Sequence, residues 1–162
     1  MALTWGESYL GRVRTSVGDT DTLLFVGARG VLLDDQNRLL LIQRSDNFHW
    51  AIPAGAMELG ESMEDCAVRE TWEETGLKAT SLTPFAFYSR YVYTNGYGHT
   101  YQQILMSFRI HTWEGELLRQ TEESVDAGFF ALDALPGPKS FIIDETMADL
   151  ASFEATGRMV LK

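Results

Sequence analysis

The sequence has a single cysteine, Cys66, so no disulfide can form within the chain. Small extracellular domains usually carry several, and a reducing, cytoplasmic compartment is expected. Long apolar runs are also missing. The longest are of the size of Leu39–Ile42, far short of the roughly 20 residues that a membrane-spanning helix needs. The stretch Met1–Arg14 has no apolar core of the kind a secretion signal carries, so no membrane partner is expected. Positive charge is scarce. Thirteen Lys and Arg face 23 Asp and Glu, a formal net charge of −10. That balance argues against a nucleic-acid backbone or an anionic membrane as the main partner, because both attract basic surfaces. An anionic small molecule stays admissible if a bound divalent ion supplies local positive charge. No repeat, low-complexity tract or Pro/Ser-rich linker breaks the chain. It reads as one domain over residues 1–162, with 1–20 as an N-terminal extension.

What is present is enough for a core, with 45% apolar and 12% aromatic residues. The first dozen residues read as a short helix carrying Trp5, Tyr9 and Leu10. Thr22–Leu33 and Leu39–Gln43 read as two strands joined by a hairpin turn at Asp34-Asp35-Gln36-Asn37. Ala51–Pro53 reads as a short strand. Ser62 with Asp65 resembles a capping box, and Gly76 falls where a left-handed C-cap belongs, which bounds a helix at Met63–Thr75. Phe85, Phe87, Tyr91 and Tyr93 alternate on one strand. Ile104, Met106, Phe108 and Ile110 alternate on another, across an Asn95-Gly96 turn. Gly128–Leu132 reads as one more strand. Ile143, Met147, Leu150 and Ala151 mark a C-terminal helix with Gly157 just beyond. The order predicts an α/β (α+β) fold, a mixed sheet with helices packed on it.

The segment Gly55–Leu77 reads GAMELGESMEDCAVRETWEETGL. At about 100° per residue, Glu70, Glu73 and Glu74 fall within an arc of roughly 100°, with Cys66 near its middle and Arg69 at its edge. Ala67, Val68, Thr71, Trp72 and Thr75 are expected to cover the opposite side and pack on the sheet. Like charges at these spacings repel, and Arg69 is the sole basic residue of the segment. One reading is a solvated acidic face with an Arg69–Glu73 pair. The other is a site for Mg²⁺ or Mn²⁺, hard cations that take carboxylate oxygens.

The wider spacing separates the two readings. The segment resembles the Nudix hydrolase signature, G-x5-E-x7-R-E-U-x-E-E-x-G-U with U a bulky aliphatic. Gly55, Glu61, Arg69, Glu70, Glu73, Glu74, Gly76 and Leu77 fall in register, and Thr71 departs at the first U. Seven fixed residue types at roughly 6% usage each coincide by chance in under about one chain in a million. Upstream, Pro53-Ala54-Gly55 stands where many members of the family read Pro-Gly-Gly.

The resemblance implies a Nudix fold, a mixed sheet sandwiched between helices, with residues 55–77 as its signature box. It implies a Mg²⁺- or Mn²⁺-dependent pyrophosphohydrolase acting on a nucleoside diphosphate derivative. Glu73 and Glu74 would be metal ligands. Glu70 would be a further ligand or the general base, Arg69 would orient Glu70, Glu61 would support the site, and the Ala54 carbonyl would be a ligand. A fourth carboxylate from a loop before the last strand is common in the family. Glu123 is the candidate, with Glu122 and Asp126 as alternatives, and the base is either this loop glutamate or Glu70. Arg44, Arg90 and Tyr93 are the candidate substrate contacts, each with a surface or packing role as its alternative. Two rival functions remain: a Nudix-fold nucleotide sensor or interaction domain without turnover, and a hydrolase of RNA 5′ ends, which the net charge disfavours. A homodimer through the N-terminal segment and the tyrosine-rich hairpin fits the resemblance. His49, His99 and His111 have no zinc-like spacing, and Cys66 reads as a packing residue.

Overall fold

The computed structural model describes residues 3–162; Met1 and Ala2, part of the N-terminal extension, lie outside the described residues. Helix α1 spans Tyr9–Val17 and begins later than its apolar residues suggest. Ser8 is its N-cap and accepts the Gly11 N–H at 3.1 Å, while the Glu58 carboxylate accepts the Tyr9 N–H at 2.9 Å. Those two oxygens satisfy donors that the first turn of a helix leaves free, so Trp5 stays outside it. Arg14 is buried and donates to the carbonyls of Gly18, Asp21 and Thr100, fastening α1 to the body.

A six-stranded mixed sheet forms the centre. It contains β1 (Leu23–Leu32), β4 (Ala54–Ala56), β5 (Lys78–Tyr88), β6 (Val92–Thr94), β7 (Thr100–Glu114) and β9 (Val160–Leu161). A three-stranded antiparallel sheet runs β3-β2-β8, with β2 at Arg38–Arg44, β3 at Trp50–Ala51 and β8 at Ser124–Ala131. The hairpin expected between the first two strands is therefore corrected. The chain does turn at Asp34–Asn37, where the Asp34 carboxylate accepts the Gln36 and Arg38 N–H groups. Yet β1 and β2 share only a Leu33–Leu39 bridge and part into different sheets. β1 instead runs parallel to β7 through ten paired positions, from Leu23–Tyr101 to Leu32–Ile110. The long hairpin is also interrupted. The chain leaves β5 after Tyr88 and rejoins β7 as β6, with Tyr93 opposite Tyr101. β8 starts four residues before the apolar run because Asp126 and Ser124 pair with Gln43 and Arg44 at its polar end.

The signature helix α2 (Met63–Thr75) carries the expected capping box, with Ser62 and Asp65 each bonding the other's backbone, and the Gly76 C-cap has φ 75°. It packs on one face of the central sheet, where Ala67 and Cys66 meet Ala28 and Phe108. Helix α3 (Ile142–Thr156) covers the other face, with Ile143 and Leu150 against Val31, Phe85 and Leu105. Leu32, Leu40, Leu77 and Ile110 join the two sheets. The sheet is thus sandwiched between helices, and α2 lies over the crossing of β1, β4 and β7.

Candidate active site

Strand β4 and helix α2 meet at the carboxylates. Glu70 and Glu74 are 7% and 4% exposed, so two acids of the stripe face the protein rather than water. Glu74 Oε2 accepts the Ala54 N–H at 3.0 Å. The Glu70 carboxyl lies against the Cα of Gly55, where a Cβ would collide with it. Ala54 is not among the residues with positive φ, so alanine fits this bend without backbone strain. Its N–H is what the structure turns toward the acids.

Arg69 organises the cluster. Its Nη1 donates to Glu70 Oε1 at 2.7 Å and to Glu73 Oε2 at 3.0 Å. Its Nε and Nη2 hold Glu61 at 3.0 and 2.7 Å, and Nη2 also reaches the Ala56 carbonyl at 2.9 Å. Glu61 in turn accepts the Glu58 N–H at 2.7 Å. The guanidinium fork thereby ties the loop before α2 to three acids, which a lysine could not do.

Electrostatics separate the acids. Burial pushes Glu61 up, but Arg69 and the Glu58 N–H outweigh it and hold its carboxyl below the usual range. Burial pushes Glu70 up to about 7, Arg69 opposes the shift, and repulsion from Glu123 and Glu73 adds to it. Glu74 is raised well above its ordinary value by burial first, then by Glu70 and Glu123. Glu123, at the rim just before β8, is raised by partial burial and next by Glu73. The loop glutamate therefore stands within electrostatic reach of all three helix carboxylates. The Ser124 hydroxyl beside it donates to the Glu74 carbonyl at 3.0 Å, pinning that loop to α2.

Arg44 also belongs to this region. It holds Asp46 in a two-pronged pair at 2.8 Å, which raises its pKa first of all, and it stands within electrostatic reach of Glu74. Tyr93 is raised to about 12 by burial and lies close to Arg44. Arg90 is elsewhere. Its guanidinium stands 5.7 Å from the Tyr91 ring centre, near Glu145 of α3. The other tyrosines divide: Tyr88 and Tyr101 are buried, and Tyr97 is exposed.

One expectation for α2 needs correction. Trp72 does not pack on the sheet; it is 47% exposed beside Glu73. Cys66 is fully buried, and its thiol points at the Gly55 carbonyl at 3.5 Å. Burial and then Glu70 hold that thiol protonated, which suits packing and not nucleophilic attack. Asp46, Ser124 and Leu118 were not singled out in the sequence, because their positions arise from turns and loops that carry no periodic signal.

All the donors here are carboxylate oxygens, the set that suits Mg²⁺ or Mn²⁺. Two buried carboxylates with raised pKa values are short of positive charge, so a divalent ion fits the residues present. Among the described residues no three acids already surround one point, since Arg69 engages Glu70 and Glu73 while the Ala54 N–H engages Glu74.

The NUDIX domain pattern matches residues 23–150, from β1 to α3. The chain belongs to the Nudix family. Its relatives include an NAD-capped RNA hydrolase NudC of Chromobacterium violaceum, 34% identical over 110 residues, or 66% of this chain and 38% of that protein. The NAD-capped RNA hydrolase NudC of Vibrio cholerae is 32% identical over 138 residues, 77% of this chain and 46% of that protein. This Nudix chain thus spans less than half the length of these curated relatives. A MutT NUDIX hydrolase from Burkholderia pseudomallei shares the fold with a TM-score of 0.66 at 23% identity, over 80% of this chain and 99% of that one.

Proposed function

We propose that this Nudix protein is a Mg²⁺- or Mn²⁺-dependent pyrophosphohydrolase that cleaves a nucleoside diphosphate derivative into a nucleoside monophosphate and a phosphorylated remainder. One observation carries the reading: Glu70, Glu73, Glu74 and Glu123 lie within electrostatic reach of one another, with Arg69 and Arg44 as the cations that face them. Glu73 and Glu74 would hold the ion, Glu70 would be either a further ligand or the base, and the Ala54 carbonyl is the remaining ligand that the family resemblance implies. When bound, the ion neutralises charge on the phosphoryl oxygens and lowers the pKa of a bound water. Left off the ion, Glu70, raised to about 7, is suited to take a proton near neutral pH, and Glu123 is the other candidate for that role. Arg69 fixes the Glu70 rotamer. Arg44 would meet a substrate phosphate by exchanging a prong of its Asp46 pair, and Tyr93 lies close to it.

The test is Glu70→Gln and Glu73→Gln against a panel of dinucleotides, nucleotide sugars and oxidised nucleoside triphosphates, with the two products identified by mass. Each variant is expected to lose about 100-fold or more in rate. If both match the parent, the assigned site is wrong.

A second reading has support of its own. The relatives just described are named for NAD-capped RNA, so a 5′-capped RNA oligomer belongs in the same panel. Turnover of free NAD but not of the capped oligomer would remove it. A sensor without turnover has no comparable support, since every carboxylate of the signature is retained. A cytoplasmic homodimer completes the proposal. Trp5, Tyr9, Leu24, Val26 and Leu59 expose apolar surface on the N-terminal side, and no helix among the described residues is long and apolar enough to cross a membrane. A monomer mass by light scattering would refute the dimer.

A further inference from the structure

We infer that Trp72 is the platform on which the heteroaromatic ring of the substrate stacks. The inference rests on the hydrolase reading and names what the same site grips beyond the phosphates. The preceding and following residues, Thr71 and Glu73, are each tied into the fold, yet the indole between them is left 47% exposed. Single exposed apolar side chains are ordinary, but this one has a partner. Leu118, 51% exposed, comes over Gly76 one turn further along. The Leu118 N–H donates to the Thr75 carbonyl at 2.9 Å and holds the segment there. The left-handed Gly76 makes the approach possible, because a Cβ at that position would strike Leu118.

Between Trp72 and Leu118 runs a shallow, open cleft of about 310 Å³, enough for one face of a flat ring. Its other walls are Glu73, Thr121, Glu122 and Glu123. Glu73 and Glu123 are thus shared between this cleft and the carboxylate cluster. A substrate whose diphosphate meets an ion at those acids has its next group at the mouth of the cleft. The chemistry of the walls selects that group. The three carboxylates repel a second anion, and among the described residues no basic side chain lines the cleft. The apolar surface of an indole is the best side-chain partner for a flat ring, and cations gain further from it. The cleft therefore takes a neutral or cationic heteroaromatic base, with the phosphates directed away from Trp72 toward the acids.

Two measurements test this. In steady-state kinetics on the preferred nucleotide, Trp72→Ala should raise KM about ten-fold with kcat held within about two-fold, and Trp72→Phe should recover most of the loss. In intrinsic fluorescence, the hydrolysis-resistant α,β-methylene ADP with Mg²⁺ should quench the parent and Trp5→Phe but not Trp72→Phe. Inorganic pyrophosphate with Mg²⁺, which has no ring, should quench none of them. A parent that does not respond to the analogue, quenching that persists in Trp72→Phe, or a Trp72→Ala KM within about two-fold of the parent would each overturn the proposal. The fluorescence arm needs no turnover, so its failure is distinct from failure of the hydrolase reading, which the Glu70 and Glu73 variants test.

Discussion

The Glu70 carboxyl group occupies the space beside Gly55 where a side chain would stand. Gly55 precedes the helix by eight residues and is not in the left-handed region. Its absent side chain, and not its backbone freedom, is what the site uses. Gly55→Ala should push Glu70 out of its place. The expected result is a stability loss of about 1–3 kcal/mol, the usual range for overpacking, with a fall in rate of at least about ten-fold. Thermal melting and turnover check both. An alanine variant with parental activity would show that the Glu70 position does not matter.

The two candidate arginines should behave differently. Arg44 feels the Glu74 charge and stands by Tyr93, whereas Arg90 lies over Tyr91 near α3. Arg44→Ala is expected to raise KM by about ten-fold, the effect of losing one charge-assisted phosphate contact. Arg90→Ala should stay within about two-fold of the parent. The reverse ranking would move the phosphate subsite to the α3 side.

Burial raises Glu70 from 4.5 to about 7 and shifts Glu74 and Glu123 in the same direction. A folded-state pKa above the unfolded one means the folded protein holds the proton more tightly. Its contribution is complete below about pH 4.5 and is lost as the pH rises through about 7. A divalent ion replaces those protons, so binding should release them and stabilise more at high pH. Melting in chelator and in saturating Mg²⁺, between roughly pH 5.5 and 8, should show a gap that widens with pH. A gap that stays constant would mean that the ion does not bind at these acids.

Thr71 stands where the Nudix signature has an aliphatic residue. Its hydroxyl is buried with no hydrogen-bond partner, against Gly30 and close to Ile110. Thr71→Val keeps the shape and removes the orphaned oxygen. It should raise stability by about 1 kcal/mol, the lower end of the cost of an unsatisfied buried group, and leave turnover unchanged. A denaturant titration showing a loss would mean that the hydroxyl is satisfied in solution.

Local signals were legible from the chain alone. The extent of α2 followed from Ser62, Asp65 and Gly76, because caps act over four residues and their chemistry is written next to them. The in-register acids and Arg69 placed the chain in its family for the same reason: helical spacing converts sequence distance into a shared face. The strands of the alternating apolar runs were legible too, but not their partners. The hairpin of β1 and β2 failed because a turn fixes direction and not pairing. β1 found a parallel neighbour in β7, about 78 positions later by the register, through contacts that no local pattern encodes. The same limit applied at the site. Helical angles put Trp72 on the sheet-facing side and the acids on the solvent side, whereas packing buried Glu70 and Glu74 with Cys66 and left Trp72 half-exposed. Which face of an amphipathic helix is buried depends on what the fold brings against it. The sequence by itself determined the residues, their spacing on α2 and the chemistry they are fit for. The tertiary structure decided which acids are desolvated, that Glu123 and Arg44 join them, and that Gly55 makes room for Glu70, because burial and long-range approach exist only once the sheets and helices have packed.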